Sequence, residues 1–125
     1  MIEKKDFYIN GKWVSPAKAN DFEVINPSTE EAFAIISLGS AEDADKAINA
    51  AKIAFETWRE TTKEERLALL EKFDEIYNRR WDEMVEAQSK EMGAPLDFAS
   101  ETHTKMGADI CRNNIEILKD FNFEH

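Results

Sequence analysis

Apolar positions recur at intervals of three and four across residues 61–95, TTKEERLALLEKFDEIYNRRWDEMVEAQSKEMGAP, the longest uninterrupted helical pattern in the chain. Leu70, Phe73, Tyr77, Trp81, Met84, Val85, Gln88 and Met92 fall along one stripe, and Lys, Arg and Glu fill the other faces. Thr61 or Thr62 serves as N-cap, with Glu64 and Glu65 placed where a carboxylate favours the free amides and the positive end of the helix dipole. Gly93 and Pro95 mark the stop, because glycine accepts the left-handed conformation that closes a helix and proline cannot continue one. The polar triplet Asn78-Arg79-Arg80 interrupts the stripe, so the predicted 62–92 helix bends or breaks there.

Two further helical patterns flank this one. Ser40, with Asp43 three residues on, caps a predicted helix over 40–58 whose apolar face is Ala44, Ala47, Ile48, Ala51, Phe55 and Trp58. Alanine on that face permits close approach, and the short turn at 60–62 predicts antiparallel packing on the following helix. After Pro95 a third pattern covers 96–121: Leu96, Ala99, His103, Met106, Ile110, Ile117 and Phe121 share one side, with Cys111, Ile115 and Leu118 beside it. Phe121 to His125 carries no helix stop, as though the next element had been cut away.

The first 38 residues change period. Residues 6–14, DFYINGKWV, read as a hairpin about Asn10-Gly11, the dipeptide that best tolerates the positive φ angles of a type I′ turn. Phe22 to Ile25 and the alternating run at 32–38 form a second predicted hairpin around Asn26-Pro27-Ser28-Thr29. Two short hairpins are marginal alone and need cover from helices or another subunit. The expected fold class is therefore α+β, two short N-terminal β-hairpins followed by three to four helices that include an antiparallel helical hairpin, all within one unit over 1–125.

Composition narrows the function more than the fold. A length of 125 residues suits one domain with a real core. A net charge of -10, with no basic cluster beyond Arg79-Arg80, argues against a nucleic-acid or anionic-membrane partner. One cysteine, Cys111, excludes an intrachain disulfide and fits a reducing compartment. The N-terminus lacks the apolar core of a signal peptide and no apolar run is long enough to span a bilayer, so the expected location is cytoplasmic.

Candidate chemistry is thin. Cys111 is the one conceivable thiol nucleophile, but His103 is eight residues back, roughly 12 Å along a helix and beyond hydrogen-bond reach. A small residue packed on the third helix is the simpler reading of Cys111, and His103 and His125 make no metal site with it. Asp43 with Asp45, and Asp82 with Glu83 and Glu86, read as solvated helix faces rather than acid-base pairs. Trp13, Trp58 and Trp81 read as packing. The aromatic side of the hairpins, Phe7, Trp13, Phe22 and Phe33, predicts self-association if left uncovered.

Taken in order, Phe7-Tyr8-Ile9-Asn10-Gly11-Lys12-Trp13-Val14, Val24-Ile25-Asn26-Pro27-Ser28-Thr29-Glu30-Glu31, the Ala-rich helix from Ala41 to Trp58, Glu65-Arg66-Leu67 and Glu91-Met92-Gly93-Ala94-Pro95 resemble the amino-terminal region of the aldehyde dehydrogenase family, in its bacterial form. Five motifs in register are hard to obtain by chance. The resemblance implies an α/β aldehyde dehydrogenase fold of which this chain is the N-terminal part of the NAD(P)-binding domain, within dimers or tetramers. It also implies NAD or NADP for the full-length parent, with none expected for this chain alone. The parent chemistry implied is oxidation of an aldehyde to a carboxylic acid through a cysteine thiohemiacetal. The family's Gly-Gln-x-Cys, Leu-Gly-Gly and Pro-Trp-Asn motifs do not occur here, so no catalytic or cofactor-binding residue is assigned and the chain is expected to be inactive by itself.

The resemblance implies one partial site, for a monovalent cation, at the carbonyls of Val24 and Ile25 and the carboxylate of Glu91. It further implies that the 62–92 helix supports the cofactor domain, with Trp81, Met84 and Val85 covered by another copy or left partly exposed. The expected partners are a second copy or the remainder of the subunit. The alternative is an acidic interaction module, or the complementing half of a split dehydrogenase.

Overall fold

The computed structural model describes residues 1–123, and they fall into two compact units that divide between Glu60 and Thr61. His125, weighed above as a metal ligand, lies outside the described residues.

In the first unit, β1 (Ile2–Lys4), β2 (Phe7–Ile9), β3 (Lys12–Val14), β4 (Asp21–Asn26) and β5 (Glu31–Ser37) precede α1 (Ala41–Trp58). Asn10 and Gly11 take φ of 53° and 74°, and the turn pairs Ile9 with Lys12 and Phe7 with Val14, as the dipeptide predicts. The second hairpin pairs β4 antiparallel to β5, with a bulge: Val24 faces Ala34 while Ile25 faces Ala32, so Phe33 is the extra residue. Asn26 closes the turn by accepting from Ser28 N through Oδ1 and from Glu30 N through its carbonyl.

This hairpin is not free-standing. β1 adds to β5 in parallel, giving a sheet ordered β1-β5-β4. Ile2-Glu3-Lys4 is exposed throughout and lacks a period-two apolar signature, so its place depends on pairing with residues more than thirty positions away.

The capping box predicted at Ser40 is present: its hydroxyl accepts from Asp43 N, and the Asp43 carboxylate accepts from Ser40 N. The expected burial of the α1 face is not. Ile48 is 63% and Phe55 55% exposed, Ala44, Ala47 and Ala51 are exposed, and Asp43 is the buried residue of this helix. Apolar periodicity records which face lowers its free energy on being covered, and it carries no information on whether a cover is present.

In the second unit the 62–92 pattern divides as expected, into α2 (Lys63–Arg79) and α3 (Trp81–Met92). The break is at Arg80, which leaves helical geometry at φ −100°, ψ 22°. Thr62 and Glu65 form a second capping box, and Gly93 closes α3 in the left-handed region at φ 69°. Val85, expected under another copy or partly exposed, is buried within this chain, where α3 packs on the segment that follows it. Trp81 is half-buried and Met84 exposed.

The third pattern is not one continuous α-helix. A single turn α4 (Leu96–Phe98) leads into a π-helical stretch, Ala99–Thr104, before α5 (Lys105–Asp120). The buried positions are Ala99, Thr104, Ala108, Cys111 and Ile115, while Met106, Ile110, Ile117 and Phe121 are exposed, so the buried stripe keeps Ala99 but then shifts onto the flank that carries Cys111 and Ile115. The π turn is the cause. It separates Ala99 from the next inward residue by five positions instead of four, so a 3.6-residue count begun at Ala99 points at His103 and Met106 in place of the buried Thr104 and Ala108.

Three side chains lash this stretch to its neighbours: Trp81 Nε1 donates to Ser100 Oγ at 3.0 Å, Tyr77 Oη to the Thr104 carbonyl at 3.1 Å, and Gln88 Nε2 to Thr104 Oγ1 at 3.4 Å. Helix α5 runs antiparallel to α2, since Lys63 Nζ reaches the Lys119 carbonyl, Cys111 Sγ the Leu70 carbonyl and Tyr77 that of Thr104. Gly107 permits the close approach: a Cβ there would lie 2.5 Å from Tyr77 Oη.

Candidate functional site

Of the residues assigned to a cation, Val24 and Ile25 are adjacent on β4 at the bulge, Val24 half-buried and Ile25 exposed. A bulge interrupts the regular ladder, which is the local feature that could turn carbonyls toward a ligand. Glu91 belongs to the other unit, exposed on the last turn of α3. Hard cations take about six to eight oxygen ligands, so the two carbonyls supply a minority of a shell. Among the described residues no group of three or more His, Cys, Asp and Glu side chains could hold a metal ion.

Cys111 is buried on α5 with its Sγ 3.8 Å from the Leu70 carbonyl. Burial first, and the negative charge of Asp74 second, push its thiol above the ordinary range. A thiol held protonated against a backbone carbonyl is a packing residue, because attack requires the thiolate. His103 sits in the π turn with its ring edge-on to Phe98 at 4.9 Å, and its buried Nδ1 has no hydrogen-bond partner among the described residues.

The carboxylates expected on solvated faces divide. Asp45, Asp82, Glu83 and Glu86 are exposed, with Glu83 paired to Arg80 at 2.8 Å and Glu86 to Lys90 at 2.6 Å. Asp43 is instead buried, and its oxygens accept from Ser40 Oγ, Ser40 N and Ala17 N at 2.7, 2.9 and 2.8 Å. These bonds favour the ionised form, Ser40 most strongly, and hold its pKa below the usual carboxylate value. Asp43 thus ties the 15–20 loop to the start of α1. The capping box was a signal for half of this arrangement; no local pattern announces the bond to Ala17.

Trp13 packs edge-on to Tyr8 across the hairpin at 5.3 Å, and Trp81 on Tyr77 at 6.4 Å. Trp81 is thereby half-buried as a packing group, whereas Trp13 stays 69% exposed on the hairpin, against the packing role expected of it. Neither unit assembles a nucleophile, base and oxyanion donor set from its described residues.

The fold of the chain is that of known enzymes. Residues 13–125 match the family model described as the aldehyde dehydrogenase family. The 3-succinoylsemialdehyde-pyridine dehydrogenase of a Pseudomonas species is 41% identical over 125 residues, which is 99% of this chain and 26% of that protein. The crystal structure of aldehyde dehydrogenase from Bartonella henselae superposes with a TM-score of 0.97 at 53% identity, over 98% of this chain and 26% of that one. Aldehyde dehydrogenase C from Pseudomonas syringae, solved as a C291A mutant in complex with NAD+ and octanal, gives 0.94 at 34% identity, over 97% of this chain and 25% of its own.

The chain belongs to the aldehyde dehydrogenase family, as an amino-terminal segment of its fold, and spans about a quarter of the length of the relatives it matches. No helix among the described residues is long and apolar enough to cross a membrane.

Proposed function

We propose that this chain supplies the amino-terminal part of the NAD-binding domain of a cytoplasmic aldehyde dehydrogenase, and that the complete subunit oxidises an aldehyde to a carboxylic acid. Similarity to dehydrogenases over nearly all of this chain but only a quarter of theirs carries the reading. NAD is the cofactor favoured, on the strength of the NAD+ in the Pseudomonas syringae relative. Bound NAD would accept the hydride; this chain contributes scaffold. The sulfur that attacks the aldehyde is not Cys111, whose thiol is protonated and occupied with the Leu70 carbonyl.

The test is an NADH-formation assay with purified chain and a panel of aldehydes. The chain alone is expected to give no rate above blank, and co-expression with a polypeptide carrying the remainder of a family subunit is expected to restore one. NAD+ reduction by the chain alone, abolished by Cys111→Ser, would overturn the proposal.

A second reading, an acidic interaction module that binds the complementary half of a split dehydrogenase, draws on the outward apolar stripe Met106, Ile110 and Ile117 of α5. Such a module would capture that half when mixed after separate purification, whereas parts of one subunit would associate only when folded together.

A further inference from the structure

We infer that Asn10 is a site of spontaneous covalent modification, at which the β2–β3 turn converts its asparagine to aspartate and isoaspartate through a succinimide. The chemistry requires a side-chain amide, an unhindered backbone nitrogen on the next residue, and freedom for the two to meet. Asn10 and Gly11 are both exposed, a Cβ built at Gly11 would meet nothing within 4 Å, and neither the Asn10 side chain nor the Gly11 amide has a hydrogen-bond partner among the described residues. Gly11 N, on losing its proton to solvent, attacks Asn10 Cγ. The N–Cγ bond forms, Nδ2 takes a proton from solvent, the Cγ–Nδ2 bond breaks and ammonia leaves. Water then opens the five-membered ring, at Cγ to give aspartate or at the main-chain carbonyl to give isoaspartate, with no change of oxidation state.

The other asparagines lack one requirement or another. Asn26 precedes Pro27, whose nitrogen has no proton to lose, and its Oδ1 is held by Ser28 N. Asn49, Asn78, Asn113 and Asn114 lie inside α1, α2 and α5, where the next amide is committed to the helix. Asn20 and Asn122 are followed by Asp21 and Phe123, whose side chains crowd the attacking nitrogen.

The same dipeptide that best closes a type I′ turn is therefore the one that opens it chemically. Isoaspartate inserts one carbon into the main chain between Ile9 and Lys12. That lengthening breaks the two-residue register and separates Tyr8 from Trp13, while either product adds one negative charge to the existing -10.

The full chain, incubated folded at neutral and at mildly acidic pH, is to be sampled over time by peptide mapping with fragmentation that separates aspartate from isoaspartate, and by tryptophan fluorescence. Asn10 is expected to convert first, faster at neutral pH, with isoaspartate the major product and with a spectral change that follows its time course. Asn10→Ala abolishes this earliest event. Conversion at Asn20 or Asn113 as fast as at Asn10 would overturn the inference. So would a native Asn10 that stays intact while the denatured chain converts, because the folded turn would then be protective.

Discussion

Helices α1 and α5 are of similar length and carry similar apolar stripes, yet they are treated differently. In α5 the residues Ala108, Cys111 and Ile115 are buried, and α2 lies antiparallel along it, joined by Lys63 to the Lys119 carbonyl, Cys111 to the Leu70 carbonyl and Arg112 to Asn78 and Asp74. In α1 no apolar residue is buried, and the helix is fixed at its first turn by Ser40, Asp43 and the loop at Ala17. One helix is held along its length by packing, which contributes roughly 25 cal/mol for each Å² of apolar surface removed from water. The other is held at one end by hydrogen bonds that are strongest while Asp43 is ionised. The second unit thus has a core of its own, and the first relies on ladders, caps and turns.

The same substitution in both helices should separate them most. Ile115→Ala removes a side chain only 6% exposed and is expected to cost about 3 kcal/mol in urea unfolding. Ile48→Ala, at 63% exposed, should stay within about 0.5 kcal/mol. Equal costs at the two sites would mean that α1 is covered in solution and would break the contrast. Gly107→Ala should follow at roughly 1–3 kcal/mol, because its Cβ would overlap Tyr77 Oη. Tyr77→Phe in the same chain should recover part of that loss, and a double-mutant cycle with no coupling would show that the contact is not what limits the approach.

A smaller and pH-dependent effect is expected at Asp43. Its pKa is lowered in the folded chain, so its contribution is present above the ordinary carboxylate pKa and is lost as pH falls through the folded value. Asp43→Asn should lower Tm at neutral pH and bring the two proteins together in acid, as followed by thermal melts across the acidic range. A constant difference at every pH would assign the loss to shape instead of charge. Glu65, whose pKa is lowered chiefly by the Thr62 amide and then its hydroxyl, should behave in the same direction, and less strongly because its pair is exposed.

Much of the site reading depended on motifs rather than geometry. The cation assignment of Val24, Ile25 and Glu91 rests on resemblance alone, since nothing in an alternating strand or a helix end marks a ligand. The bulge at Phe33 that sets Val24 and Ile25 apart from a regular strand has no local sequence signature. Cys111 was legible as a packing residue from its distance to any base, but its partner, the Leu70 carbonyl, is 41 residues away.

The sequence by itself determined the Asn10-Gly11 turn, the boxes at Ser40 and Thr62, the break at Arg80 and the stop at Gly93. In each case the interacting atoms lie within four residues and the backbone preference is local. The tertiary structure alone decided the parallel addition of β1 to β5, the bond from Ala17 to Asp43 and the fit of Gly107 under Tyr77. It also decided the π turn, which moves the buried face of α5 from Met106 and Ile110 to Ala108 and Cys111. Partners from elsewhere in the chain make an otherwise unfavourable turn tolerable, and a count of residues along one helix contains no record of them.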